Sequence, residues 1–133
     1  MSSFRTSSFL RRALLADAIA SGATGALVVF GASLLEGLLG LPSALLRGAG
    51  LVLLPFVAFI VWTGTRENIA PPAVWIVIVA NAVWALASIL LLLSGAVAPT
   101  MLGYGFVIAQ AIVVAALGEL QYIGLRRPTA AMA

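Results

Sequence analysis

The sequence predicts an all-α integral membrane protein, a bundle of four transmembrane helices with both termini in the cytoplasm. Its composition is the first indication, because 63% of the 133 residues are hydrophobic and only 8% are charged. A soluble domain carries about 25% charged residues, so lipid and not water must surround most of this surface. The second indication is a long uncharged run, and the third is the placement of arginine.

The uncharged run extends from Asn68 to Gly118, about 51 residues, and would measure about 76 Å as a single helix. The hydrocarbon core of a bilayer is only about 30 Å thick, so the run must fold back on itself. Ser94 to Thr100 contains Gly95 and Pro99 and is the obvious place for that turn. We therefore expect a third span over about 72–94 and a fourth over about 100–125.

The first span is predicted over about 13–39, and on a helical wheel it divides into two faces. The face suited to lipid consists of Ile19, Ala23, Leu27, Phe30 and Leu34. The opposite arc holds small and polar residues: Asp17, Ala18, Ser21, Gly22, Thr24, Gly25, Ala32, Ser33 and Glu36. Small residues let helices approach closely in lipid, so this arc is expected to face the other helices. A cleaved signal peptide is the alternative, but Asp17 leaves too short an apolar segment for one.

The second span is predicted over about 43–65, after a break at Gly37 to Pro42, with a kink at Pro55. The remaining ranges complete the organisation of the chain. Residues 1–12 form a basic cytoplasmic tail, 13–127 a single transmembrane domain, and 128–133 a disordered C-terminal tail.

Arginine placement predicts the orientation. With both termini inside, all but one of the basic residues lie on the cytoplasmic side, as the positive-inside rule requires. The residues that determine this topology are Arg11, Arg12, Arg66, Arg126 and Arg127, whereas Arg47 lies outside. The expected location is the plasma membrane, which in a bacterium is the inner membrane.

Two acids inside the membrane are candidates for a proton or substrate site. Asp17 and Glu119 each lie one to two turns inside the cytoplasmic boundary, and neither has a basic residue three or four positions away. An acid at such a depth is costly and marks a functional site by default. If both carboxylates face one cavity, they can share a proton. The alternative is that both reach to the interface and pair with arginine there.

Two amides, Asn81 and Gln110, lie near the middle of the bilayer and join these candidates. Amides at such depth either hold helices together or contact a substrate. Gln110 lies about 180° around its helix from Glu119, so one of them can face another chain. That geometry suggests self-association or a partner subunit through the fourth span. Near the outer surface, Glu36 and Arg47 are expected to form a structural ion pair.

The residue types present narrow the functions to consider. The sequence has no Cys and no His, which removes the commonest ligands of zinc and haem and the commonest catalytic base. No catalytic residue, metal site or cofactor is indicated, and topology explains the basic charge better than nucleic-acid binding does. We expect a non-enzymatic accessory or self-associating membrane subunit. The alternative is a proton-coupled transporter of a small solute that uses Asp17 and Glu119.

Overall fold

A computed structural model describes residues 8–126 and confirms the all-α fold. Five helices occur in that range: α1 Ser8–Phe30, α2 Ala32–Leu39, α3 Ser43–Gly64, α4 Pro71–Ser94 and α5 Met101–Arg126. Four of them, α1, α3, α4 and α5, are long and apolar enough to cross a membrane. Arg127 and the two predicted tails, apart from residues 8–12, lie outside the described residues.

Successive long helices run in opposite directions, so the start of α1 and the end of α5 meet at one end of the bundle, the terminal end. There Gly124 of α5 packs against Leu10, and the Arg11 guanidinium donates hydrogen bonds to the backbone carbonyls of Gly64 and Glu67. At the distal end, the Thr100 hydroxyl donates to the Leu38 carbonyl over 2.7 Å. Each end is thus closed by bonds between segments far apart in sequence.

The first span is not the single helix that the sequence predicts. It begins at Ser8 and bends at Gly31, where φ is −102° and ψ is 13°, before α2 continues to Leu39. Helical hydrogen bonds continue across the bend, from Gly31 N to Leu27 O and from Leu35 N to Gly31 O. Glycine suits this bend because a Cβ at position 31 would lie only 2.8 Å from the Leu27 carbonyl oxygen. Beyond it, Ser33 and Glu36 are exposed and not inward-facing as expected.

The predicted faces of α1 agree with the structure up to this bend. Ile19 and Phe30 are 74% and 87% exposed on the lipid-facing side. On the inward side, Gly25 meets Gly50 of α3 so closely that a Cβ on Gly50 would lie 2.8 Å from the Gly25 carbonyl oxygen. Close approach of backbones at small residues is how helices gain dispersion contacts in lipid. α1 and α3 therefore form one tight pair, and α4 and α5 form another.

A groove opens between these pairs because α3 and α4 touch each other very little. We call it the α3–α4 groove. Its inner part is a cavity of about 370 Å³ walled by all four long helices. A second cavity of about 530 Å³ adjoins it towards the distal end and shares Thr24, Trp84 and Gln110 with it. The bundle is therefore open to one side along this seam.

Candidate functional site: a buried polar cluster around Asp17

Asp17 is fully enclosed by protein at the junction of α1, α4 and α5, with 0% of its surface exposed. Its Oδ1 accepts a hydrogen bond from the Ser21 hydroxyl at 2.8 Å. Its Oδ2 accepts two more at 2.8 Å, from Asn81 Nδ2 and from Gln121 Nε2. We call Asp17, Ser21, Asn81 and Gln121 the Asp17 cluster. Its members come from three transmembrane helices, so the cluster ties those helices together.

The carboxylate determines how both amides are oriented. An ionised carboxylate only accepts hydrogen bonds, so Asn81 and Gln121 must each turn an N–H towards it. Asn81 Nδ2 donates its other hydrogen to Gln121 Oε1 over 3.0 Å, and Gln121 Nε2 also reaches the Ala13 carbonyl over 3.5 Å. Every amide hydrogen in the cluster therefore has an acceptor.

The partners of Asp17 are neutral. Within residues 8–126 they are one hydroxyl and two amides. Of the two basic residues of α1, Arg12 is exposed and Arg11 is bound to backbone carbonyls at the terminal end. When Asp17 is ionised, the cluster thus carries a full negative charge that hydrogen bonds stabilise but no cation neutralises.

Local packing explains how the amides reach Asp17. Gly118 lies one turn before Gln121 on α5, and a Cβ there would be 3.3 Å from the Asn81 Cβ. A larger residue at 118 would separate α4 from α5 and move Asn81 away from the carboxylate. Gly118 therefore permits the close approach of α5 to α4 on which the hydrogen bonds between Asn81, Gln121 and Asp17 depend.

No protein-family model, curated protein or solved structure matches this chain. Function is therefore inferred from the geometry of the site.

Gln110 belongs to a second group, on the wall of the α3–α4 groove. Its Oε1 accepts a hydrogen bond from Trp84 Nε1 at 2.9 Å, and its Nε2 donates to Ser88 Oγ at 2.9 Å. Asn81 and Gln110 both line the inner cavity, so the two predicted amides do share one space. Only Asn81 contacts Asp17.

Glu119 is not brought to Asp17. It is exposed on the lipid-facing side of α5 and has no hydrogen bond or ion pair with the residues described. Its position two residues before Gln121 places it about 160° away around the helix, since each residue turns by about 100°. A proton shared between the two acids is thus incompatible with this arrangement.

Glu36 has a different partner from the one predicted. Its Oε1 accepts a hydrogen bond from the backbone N–H of Ser43 at 3.1 Å, whereas Arg47 is exposed and forms no ion pair with Glu36 in the described range. The N-terminus of α3 carries unpaired N–H groups and a positive dipole, which attract a carboxylate as Arg47 would. Glu36 therefore caps α3.

Gln121 is the site residue that the sequence analysis missed. It shares one face of α5 with Ala111, Gly118 and Gly124, all of which are buried. A glutamine within a line of small residues is a recognisable signal of a polar contact at a close helix approach. Gln121 also lies only about 20° around the helix from Gln110, so one face of α5 carries both amides.

Proposed function

We propose that this chain is a non-enzymatic subunit of a membrane complex and associates with its partner through the outer face of α5. The outer face consists of exposed residues: Ile108, Ile112, Ala115, Ala116, Glu119 and Ile123. The partner is a second copy of the chain or another membrane protein. The four apolar helices fit a small integral membrane protein, and association through α5 would give that protein its role in the membrane.

Glu119 is the observation that carries the proposal. It lies about two turns before the end of α5, points to lipid and lacks a partner within residues 8–126. By contrast, the other polar side chains considered within the spans, Asp17, Asn81 and Gln110, are all bonded inside the bundle. A carboxylate facing lipid is unfavourable, and a donor from a neighbouring helix would stabilise it. Ala115 and Ala116 beside it would allow that helix to come close.

Site-directed photocrosslinking in native membranes tests this function. Because the sequence has no Cys, a photoreactive thiol reagent can be attached at Ala115→Cys alone. Ala82→Cys is the matched control, since it is exposed on α4 and, like Ala115, lies about 11 residues from the terminal end of its helix. We expect a discrete adduct from position 115 and none from position 82.

The charge dependence of the adduct completes the test. Combining Ala115→Cys with Glu119→Gln should lower the adduct yield several-fold, whereas Glu67→Gln in the α3–α4 loop should leave it unchanged. Uncrosslinked monomer alone from position 115, or adducts that are insensitive to Glu119→Gln, would contradict association through this face.

A second candidate function is proton-coupled transport of a small solute, with Asp17 as the acid. The specific observation in its favour is that Ser21 and Asn81, which bind Asp17, also line the inner cavity. A solute in that cavity would lie one hydrogen bond away from a buried carboxylate. Glu119 has no part in this version because it faces the opposite side of α5.

A further inference from the structure

We propose that the α3–α4 groove binds a lipophilic amine in its protonated form, with the N–H groups of the ammonium directed at Ser21 and Asn81 and its charge balanced by Asp17. The proposal deepens the transport candidate by naming the class of its ligand. It requires binding alone, so it does not depend on any movement of the ligand across the membrane.

The hydrogen-bonding capacity left at the cavity wall is the first argument. The single hydrogen of the Ser21 hydroxyl is donated to Asp17, so only the lone pairs of that oxygen remain. Asn81 uses both N–H groups on Asp17 and Gln121. Its Oδ1 makes no hydrogen bond within residues 8–126 and is not sealed off by protein. These two residues can only accept, so they select a ligand that donates.

Charge is the second argument. The Asp17 carboxylate has only neutral partners over the part of the chain that the structure describes. In a low-dielectric interior a nearby cation stabilises such a group far more than it would in water. A ligand that carries a positive charge and N–H donors satisfies both requirements at once, whereas a neutral alcohol satisfies only the hydrogen bonding.

Apart from Thr24 and Gln110, the remaining wall of the cavity is apolar and suits an apolar tail. Phe56, Trp84 and Phe106 provide aromatic surface, and Leu53, Val113 and Leu117 provide aliphatic surface. The volume of about 370 Å³ is at the small end of the range for ligand sites, about 300–1,000 Å³. Since α3 and α4 leave this side open to the bilayer, a ligand dissolved in lipid can enter laterally.

A set of three probes with one tail tests the ligand class. We would measure binding of 4-phenylbutylamine, 4-phenylbutanol and 4-phenylbutyl-trimethylammonium to the full chain in nanodiscs, and subtract the uptake by protein-free nanodiscs. The amine should bind at least tenfold more tightly than either analogue, because the alcohol lacks the charge and the quaternary ion lacks N–H donors. Equal affinity for the amine and the alcohol would overturn the proposal.

Two substitutions locate the site. Ala80→Leu places a larger side chain in the cavity while leaving every residue of the Asp17 cluster in the sequence, and it should weaken amine binding at least tenfold. Ala82→Leu, exposed on the same helix outside the cavity, should leave amine binding unchanged. Asp17→Asn should remove the preference for the amine over the alcohol. If Asp17→Asn does not fold, as judged by circular dichroism, Ala80→Leu decides alone: full amine binding by that variant places the ligand elsewhere and overturns the site.

The possible failures are distinguishable. A chain that binds the amine but does not carry it across a vesicle membrane retains this site and loses the transport candidate. A chain that does not bind the amine loses the site. Neither result affects association through α5, which is measured by crosslinking.

Discussion

At the scale of single residues, the molecule depends on how Asp17 is accommodated inside a membrane. Three hydrogen bonds from Ser21, Asn81 and Gln121 replace the water that a carboxylate would otherwise hold. Bonds to a charged group are worth about 1.5–3 kcal/mol each in proteins, more than bonds between neutral groups. Interhelical bonds measured in membranes are weaker, about 0.6 kcal/mol on average. Each hydrogen bond of the Asp17 cluster should therefore contribute between about 0.6 and 3 kcal/mol to stability.

Gln121 and Glu119 offer a matched comparison at this scale, because they lie two residues apart on opposite sides of α5. We expect Gln121→Met to lower the free energy of unfolding by about 1–3 kcal/mol, since it removes one donor from the buried carboxylate. Glu119→Gln should change the free energy of unfolding of the monomer by less than about 0.5 kcal/mol. Unfolding by sodium dodecyl sulfate in mixed micelles, followed by tryptophan fluorescence, measures both. Similar losses from the two substitutions would show that the Asp17 cluster does not stabilise the bundle.

The sequence revealed part of this cluster and not the rest. Asp17 and Ser21 could be found because they share an arc of small residues on a helical wheel. Asn81 could be found because an amide in the middle of an apolar span has few alternatives to an internal contact. Gln121 was missed because it lies near Tyr122 and Arg126, where a polar residue is unremarkable. Its pairing depends on the approach of α1 to α5, which no single helix encodes.

At the scale of the helices, the close contact of α1 with α3 depends on glycine at one crossing point. Gly50 lies against Gly25 and Val28, while the nearby Gly48 has nothing within 4 Å of the position where a Cβ would be. Both glycines occupy the interior of α3, so their intrinsic cost to the helix is the same. The difference between them is the packing alone.

Alanine at each of these positions separates packing from helix propensity. Gly50→Ala should destabilise the protein by about 1–3 kcal/mol because its Cβ collides with the backbone of α1. Gly48→Ala should stabilise it by up to about 1 kcal/mol, since alanine is the better helix former. Thermal unfolding in detergent provides the measurement, and a loss of stability from Gly48→Ala as large as that from Gly50→Ala would argue against the close crossing.

Helix boundaries were the most predictable feature at this scale. The predicted ranges of α3, α4 and α5 differ from the structure by one residue at most, because charged and proline-containing turns separate long apolar blocks. The bend at Gly31 could not be predicted in the same way. Gly22 and Gly25 occupy similar apolar surroundings and remain helical, so the sequence does not distinguish a glycine that bends from one that packs.

At the scale of the whole molecule, positive charge is concentrated at the terminal end. Arg11, Arg12, Arg66 and Arg126 lie there, whereas Arg47 lies at the distal end. Aromatic residues accompany them: the Arg66 guanidinium lies 5.2 Å from the Trp62 ring centroid, and Trp75 packs edge-on against Tyr122 at 5.6 Å. Such an end is typical of the cytoplasmic interface of a membrane protein.

The α3–α4 groove is the feature of the whole molecule that the sequence could not predict. Each helix adjoining it is apolar on several sides, so hydropathy alone does not say which pair of helices remains apart. Gly25 and Gly50 allow α1 to pack closely on α3, and Gly118 allows α5 to pack closely on α4. The groove remains where α3 and α4 do not pack against each other. Its existence connects the buried Asp17 with the bilayer, and the proposed ligand site depends on it.

Accessibility of single cysteines to an impermeant maleimide tests the central claim, a four-span bundle with both termini in the cytoplasm. Tags at the two ends and Glu67→Cys should be reached only from the cytoplasmic face of membrane vesicles, and Ala96→Cys only from the opposite face. Tags reporting from opposite faces, or a polypeptide that remains in solution without detergent, would contradict the account.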